Sequence, residues 1–187
     1  MDKSKLELII KDFLIALGEN PEREGLQKTP SRVAKAWADD FCKGYQEDPK
    51  EHLQTTFEEV EDYKGIILLK DIPFNSYCEH HLAPIRGTAH IAYLPASKVV
   101  GISKLARVLE GYARRLQIQE RLTSQVRSAI DEVLQPLGTA VVLNAEHFCI
   151  SSRGASKHGV GMTTSSYSGA FEENHWRDDL FRLIGCK

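Results

Sequence analysis

The chain has 187 residues and a formal net charge of −2, which bounds it to one domain with a small appendage. It also excludes a protein held to nucleic acid or an anionic membrane by surplus positive charge. Hydrophobic residues are 42% and charged residues 27%, a globular composition that excludes wholesale disorder and needs no disulfide scaffold. Met1 to Lys11 is charged throughout, and no stretch approaches the ~20 apolar residues of a membrane span. The four cysteines, Cys42, Cys78, Cys149 and Cys186, are scattered. The expectation is a leaderless chain in a reducing cytoplasm, with thiols free or bound to metal.

In chain order, Leu6, Ile9, Ile10, Phe13, Leu14 and Leu17 recur at helical spacing, and Gly18 stops them. Residues 20–28 read as a loop. Thr29-Pro30 opens a second helix, with Thr29 placed to cap it and Pro30 at the first helical position. Val33, Ala34, Trp37 and Phe41 form its apolar stripe. Residues 1–55 are expected to be a helical appendage to a main body over 56–187. Ile66 to Leu69 is a short apolar run of strand length, and Thr88 to Leu94 is another, closed by Pro95. Two helices follow. Leu105, Val108, Leu109, Tyr112 and Leu116 mark the first, and Ile118 to Leu137 the second, ended by Gly138. Thr139 to Leu143 returns to strand, with Phe148-Cys149-Ile150 read as its continuation. Met162 to Tyr167 is a Thr/Ser-rich strand, and Phe171 to Ile184 a closing helix. Paired strands separated by paired helices predict an α+β fold with an antiparallel sheet.

The densest chemical signal is Cys78-Glu79-His80-His81. Thiolate and imidazole are the preferred zinc ligands, and Cys78 with His81 has compact C-x-x-H spacing in a loop expected just after a strand. A second pair, His147 and Cys149, shares one face if the segment is strand. Three protein ligands make a catalytic site and four a structural one, and spacing leaves both open. Histidines left over from the metal suit proton transfer near neutrality.

Ser103 is a good N-cap residue, and Lys104 and Arg107 neighbour each other on one helix face, so this helix start is a candidate phosphate cradle. A capped helix with a solvated basic edge accounts for the same residues. Arg153 is a candidate for a further anion ligand. Gln119 and Glu120 begin the next helix, where a carboxylate can accept two parallel N–H bonds or simply favour the helix dipole. The Gly-rich segment 154–161 lacks the Gly-Lys-Ser/Thr ending of a Walker loop. His52, His90, His158 and His175 are isolated and read as structural or surface residues.

In joint order and spacing, these motifs resemble GTP cyclohydrolase I of the zinc-dependent type. The resemblance starts at Glu22-Arg23-Glu24-Gly25-Leu26 and Thr29-Pro30-x-Arg32-Val33. It continues through Cys78-Glu79-His80-His81, Gly101-Ile102-Ser103-Lys104, Arg107 and Gln119-Glu120-Arg121-Leu122-Thr123. It ends at His147-x-Cys149, Arg153-Gly154 and Thr163-Thr164-Ser165. It implies conversion of GTP to 7,8-dihydroneopterin triphosphate with release of formate, the entry to folate or tetrahydrobiopterin synthesis. It implies a tunnelling fold assembled as a homodecamer with active sites shared between subunits. By the same resemblance Cys78, His81 and Cys149 match zinc ligands, and His147 and His80 match proton-transfer residues. Ser103 matches a residue of the later ribose steps. Lys104, Arg107 and Arg153 match triphosphate ligands, and Gln119 and Glu120 match residues holding the guanine edge. Two rival expectations are a related GTP or pterin enzyme using another metal such as ferrous iron, and a non-catalytic oligomer with structural zinc.

Overall fold

The computed structural model describes residues 1–58 and 63–185. Cys186 lies outside the described residues. Helices α1 (Lys3–Ala16) and α2 (Thr29–Ala36) come first. The Asp2 side chain caps α1 by accepting from the Lys5 N–H at 2.9 Å. Gly18 ends it at φ 84°, a left-handed value glycine adopts freely. The apolar stripe of α1 is largely uncovered within this chain: Leu14 is its buried residue, whereas Ile9, Phe13 and Leu17 are exposed. Thr29 does not cap α2. It is already helical, Lys28 holds the cap position, and the Thr29 hydroxyl instead reaches back to the Gly25 carbonyl at 3.5 Å.

A π-helical turn over Trp37–Phe41 carries α2 onto the sheet, where the Trp37 and Phe41 rings lie 5.0 Å and 4.6 Å from Tyr77. Two 3-10 turns, Lys43–Gln46 and Pro49–Leu53, then bring Leu53 into the main core.

The body is built from β1 (Thr56–Phe57), β2 (Ile67–Cys78), β3 (Pro84–Leu94), β4 (Val99–Val100), α3 (Ile102–Ala113), β5 (Leu116–Gln117), α4 (Gln119–Leu134), β6 (Gly138–His147), α5 (Phe148–Ser151), β7 (Gly161–Gly169) and α6 (Asn174–Ile184). β1 pairs with β4, and the main sheet has five strands in the order β5-β2-β3-β6-β7. Every neighbour in that sheet is antiparallel except the short β2–β5 pair. The α+β class and antiparallel sheet therefore match the expectation.

Amphipathic α3 and α4 cover one face. Leu105, Val108, Leu109, Leu122, Val126 and Ile130 pack on Phe74, Ile85, Ile91, Val141 and Leu143. At one end of the other face, Phe171 and Leu180 cover Ala92, Leu94 and Ala140. The Thr/Ser character of β7 has a use. Ser166 accepts from Arg127 at 3.1 Å and Ser168 donates to Asp131 at 2.8 Å, so alternate residues bind α4 by polar contacts.

Several boundaries differ from expectation: α2 ends at Ala36, before Trp37 and Phe41, and α3 ends at Ala113, so that Leu116 lies in β5. α4 stops at Leu134 because Gln135 takes φ 49° and Pro136 follows, and Gly138 opens β6 instead of ending the helix. Ser103 lies inside α3, with Gly101 at the cap position and no side-chain capping bond. The run Phe148-Cys149-Ile150 is the helical turn α5, so His147 and Cys149 do not share a strand face.

Candidate metal centre and active site

β2 delivers Cys78 at its last residue, and the chain folds back at once. The Cys78 N–H donates to the Ala83 carbonyl and the Leu82 N–H to the Cys78 carbonyl, each at 2.8 Å, with Leu82 at φ 53°. This tight turn returns His81 to the cysteine, with Nδ1 3.9 Å from Cys78 Sγ. Cys149 arrives from β6, because the helical turn after His147 redirects the chain that a continued strand would carry away.

The ligand atoms of Cys78, His81 and Cys149 all lie within 4.8 Å of one another. Donors on a tetrahedral zinc stand about 3.6–3.8 Å apart, given Zn–S of ~2.3 Å and Zn–N of ~2.0–2.1 Å, so these residues fit such an ion. Cys78 is buried, Cys149 half-buried and His81 exposed. Burial and the neighbouring Cys78 push the Cys149 thiol above its ordinary range. The group has three donors among the described residues, the number of a catalytic site. His80 Nδ1 also stands 3.8 Å from Cys78 Sγ, but its ring is exposed and outside the group.

Polar contacts with α4 hold this cluster. Glu79 accepts from Arg121 through both oxygens, at 2.6 and 2.9 Å, and its N–H donates to the Gln117 carbonyl at 3.1 Å. The guanidinium holds the Glu79 carboxyl below the usual carboxylate range. His147 Nε2 lies 2.7 Å from Gln119 Oε1. Burial pushes this imidazole below its ordinary value, partly opposed by Glu120. Gln119 is buried and Glu120, one residue on, is exposed. Arg153 is exposed and close enough to Cys149 to act on its thiol. Neither the Glu79–Arg121 clamp nor the contacts beneath His147 were read from the sequence. The signal for the first is the reciprocal charge inside two motifs already singled out.

One chain does not bring every candidate to this place. Ser103, Lys104 and Arg107 start α3 just after Val100, whose N–H donates to the Tyr93 hydroxyl at 3.2 Å. Tyr93 pairs with Ile67 at the far end of β2 from Cys78, whereas Ile85 pairs with His147. Residues 85 and 93 on β3 are ~26 Å apart at ~3.3 Å per residue. The basic helix start and the cysteine cluster therefore belong to opposite ends of the sheet, while Cys78, His80, His81, Gln119, Glu120, His147, Cys149 and Arg153 share the other.

An α+β domain that gathers two thiols and an imidazole at one end of its sheet, with a half-buried histidine beside them, has the make-up of a metal-binding enzyme. The chain belongs to the GTP cyclohydrolase I family, whose model matches residues 6–185. It is 48% identical over 180 residues to GTP cyclohydrolase 1 of Bartonella quintana (strain Toulouse), covering 96% of this chain and 87% of that protein. It is 49% identical over 171 residues to GTP cyclohydrolase 1 of Brucella abortus (strain S19), covering 91% and 80%. Among solved structures, the apo form of the archaeosine synthase QueF-Like aligns with a TM-score of 0.49 at 16% identity, over 58% of this chain and 98% of that one.

Proposed function

We propose that this chain hydrolyses and rearranges GTP to 7,8-dihydroneopterin triphosphate with release of formate. The carrying observation is the Cys78–His81–Cys149 cluster with His147 hydrogen-bonded beside it, on a chain that matches its family over residues 6–185. Two soft thiolates and an imidazole favour zinc. Bound there, zinc supplies Lewis-acid activation of water at neutral pH.

His147 gives and takes protons at the guanine imidazole ring, and exposed His80 does so nearer the ribose. Burial pushes the His147 imidazole below its ordinary value, which favours the neutral ring. The Glu120 carboxylate faces solvent and accepts the paired N1–H and amino donors of guanine. Arg153 binds the triphosphate. Ser103, Lys104 and Arg107 serve the active site of a second copy, since their helix start follows Val100 beside Tyr93, which is ~26 Å along β3 from Ile85, the partner of their own His147. The uncovered stripe of α1 supports assembly, and a homodecamer is the form proposed. The proposed compartment is the cytoplasm. No helix among the described residues is long and apolar enough to cross a membrane.

Anaerobic incubation of zinc-loaded protein with GTP tests the reaction. Formate and dihydroneopterin triphosphate should form in equal amounts, vanish on metal stripping and return with zinc. GTP binding without formate rejects the reading. Co-expression of His147→Gln and Lys104→Ala chains tests the shared site. Mixed assemblies should recover activity that neither parent has, and no recovery would place both residues in one chain's site.

A further inference from the structure

The carboxamide of Gln119 is buried and every polar atom in it is engaged. Its Nε2 faces the Met162 carbonyl at 2.9 Å, the Thr164 hydroxyl at 3.1 Å and the Leu143 carbonyl at 3.2 Å. Two of those three neighbours are carbonyls, which only accept. Turning the amide over would aim Oε1 at two other acceptors, so the donor end must stay where it is.

The hydroxyls settle the same direction independently. Thr123 Oγ1 donates to the Gln119 carbonyl at 2.7 Å, which uses its one hydrogen. At its 2.7 Å contact with Thr164 it is therefore the acceptor, and Thr164 donates. Thr164 is then free to accept from Gln119 Nε2. The result is a closed, one-directional ring: side-chain amide to Thr164, Thr164 to Thr123, Thr123 to the Gln119 backbone.

This ring leaves Gln119 Oε1 as the group facing His147 Nε2, at 2.7 Å. An amide oxygen cannot donate, so the imidazole nitrogen must carry the hydrogen. A neutral imidazole carries one N–H, and the lone pair falls on Nδ1. We infer that Gln119 is a positioning residue that holds His147 as its Nε2–H tautomer, making Nδ1 the nitrogen that exchanges protons with substrate. A consequence is that the Gln119 side chain, buried and with its N–H groups engaged, is turned away from solvent, and the guanine edge falls to the exposed Glu120. The inference rests on the reading of His147 as the proton-transfer residue, but the tautomer itself is measured without turnover.

Solid-state 15N NMR of the assembled protein, labelled at histidine and held above the pH of imidazole titration, reads the tautomer directly. The His147 resonances are those lost in His147→Gln. The expected result is a protonated Nε2 and a bare Nδ1 in the wild type. In Gln119→Ala the Nε2–H form should give way to a mixture. With GTP, kcat should fall roughly 10–100-fold, part of the ~10²–10⁴ that a positioned acid or base contributes, while preference for GTP over ATP holds.

A wild-type His147 protonated on Nδ1 overturns the inference, and that result stands even if Gln119→Ala does not fold. So does an unchanged tautomer in a folded Gln119→Ala, or a variant that keeps kcat and loses GTP preference. If GTP proves not to be the substrate, the tautomer result is unaffected, so the two failures are distinguishable.

Discussion

At one end of the five-stranded sheet Leu94 pairs with Gly138 and Gly138 with Gly169. There the backbones crowd so closely that a Cβ on Gly169 would stand 2.2 Å from the Leu137 carbonyl oxygen. Phe171 and Leu180 seal that end with apolar surface. At the opposite end Ile85 pairs with His147 and Glu146 with Gly161. Here the chain leaves the sheet in a tight turn after β2 and a helical turn after β6, and residues 153–160 are exposed. The closed end is held mainly by non-directional burial, which tolerates changes of pH and metal. The open end is held by directional bonds between polar groups, which fix atoms to positions but depend on charge and ligation. Within one chain, stability and metal binding should therefore separate along the strands.

The largest effect expected on that separation is at the metal cluster. Cys149→Ser should weaken metal binding by roughly 100-fold or more, beyond the 10–100-fold typical of outer partners, and abolish turnover. Thermal unfolding of the metal-free protein should hardly move. Isothermal titration and melting curves on one preparation check both halves, and a matching loss of metal-free stability would merge the two ends.

Phe171→Ala is the converse substitution. It should cost about 3–5 kcal/mol in denaturant unfolding while metal affinity below the transition is unchanged. A parallel loss of metal affinity would show that the closed end supports the site.

Glu79→Gln probes a smaller contribution. It removes one charge of the bidentate clamp to Arg121 and should lower metal affinity by about 10-fold, because the turn carrying His81 loses its anchor on α4. Equal affinity for metal in the variant and wild type would reduce the clamp to a surface ion pair.

The smallest effect concerns His90, midway along β3. Its Nδ1 accepts the Asp71 N–H at 3.2 Å, at the irregularity between Leu69 and Ile72 in the β2–β3 register. Burial lowers its pKa. The unfolded chain therefore takes up a proton near pH ~6.5 while the folded one resists. Stability should fall as pH drops below that value and be unaffected above it. In His90→Gln the pH-dependent part of the melting temperature should shrink, and an identical slope would assign it elsewhere.

Much of this architecture is legible in sequence because local signals and tertiary demands agree. The stripes through Leu105–Tyr112 and Leu122–Leu134 face the core as their spacing predicts. The two halves of the metal cluster are legible as short runs of rare donor types. Where local and tertiary demands part, the local reading fails. Phe148-Cys149-Ile150 has strand-like apolarity, but the chain turns helically there and brings Cys149 towards Cys78. Ser103 has the chemistry of a cap, yet Gly101 holds that position two residues earlier. The Gln119–Thr164–Thr123 ring is illegible for another reason. It joins α4 to β7 across 41–45 residues, and no local pattern encodes the register that aligns them.

Cobalt(II) substitution tests the central claim, that the open end of the sheet is a two-thiolate, one-imidazole metal site, most directly. The account predicts a single cobalt per chain, with thiolate charge-transfer absorption that halves in Cys149→Ser and intense visible bands of low coordination number. Cobalt binding with no thiolate absorption, or absorption untouched by Cys149→Ser, would contradict it.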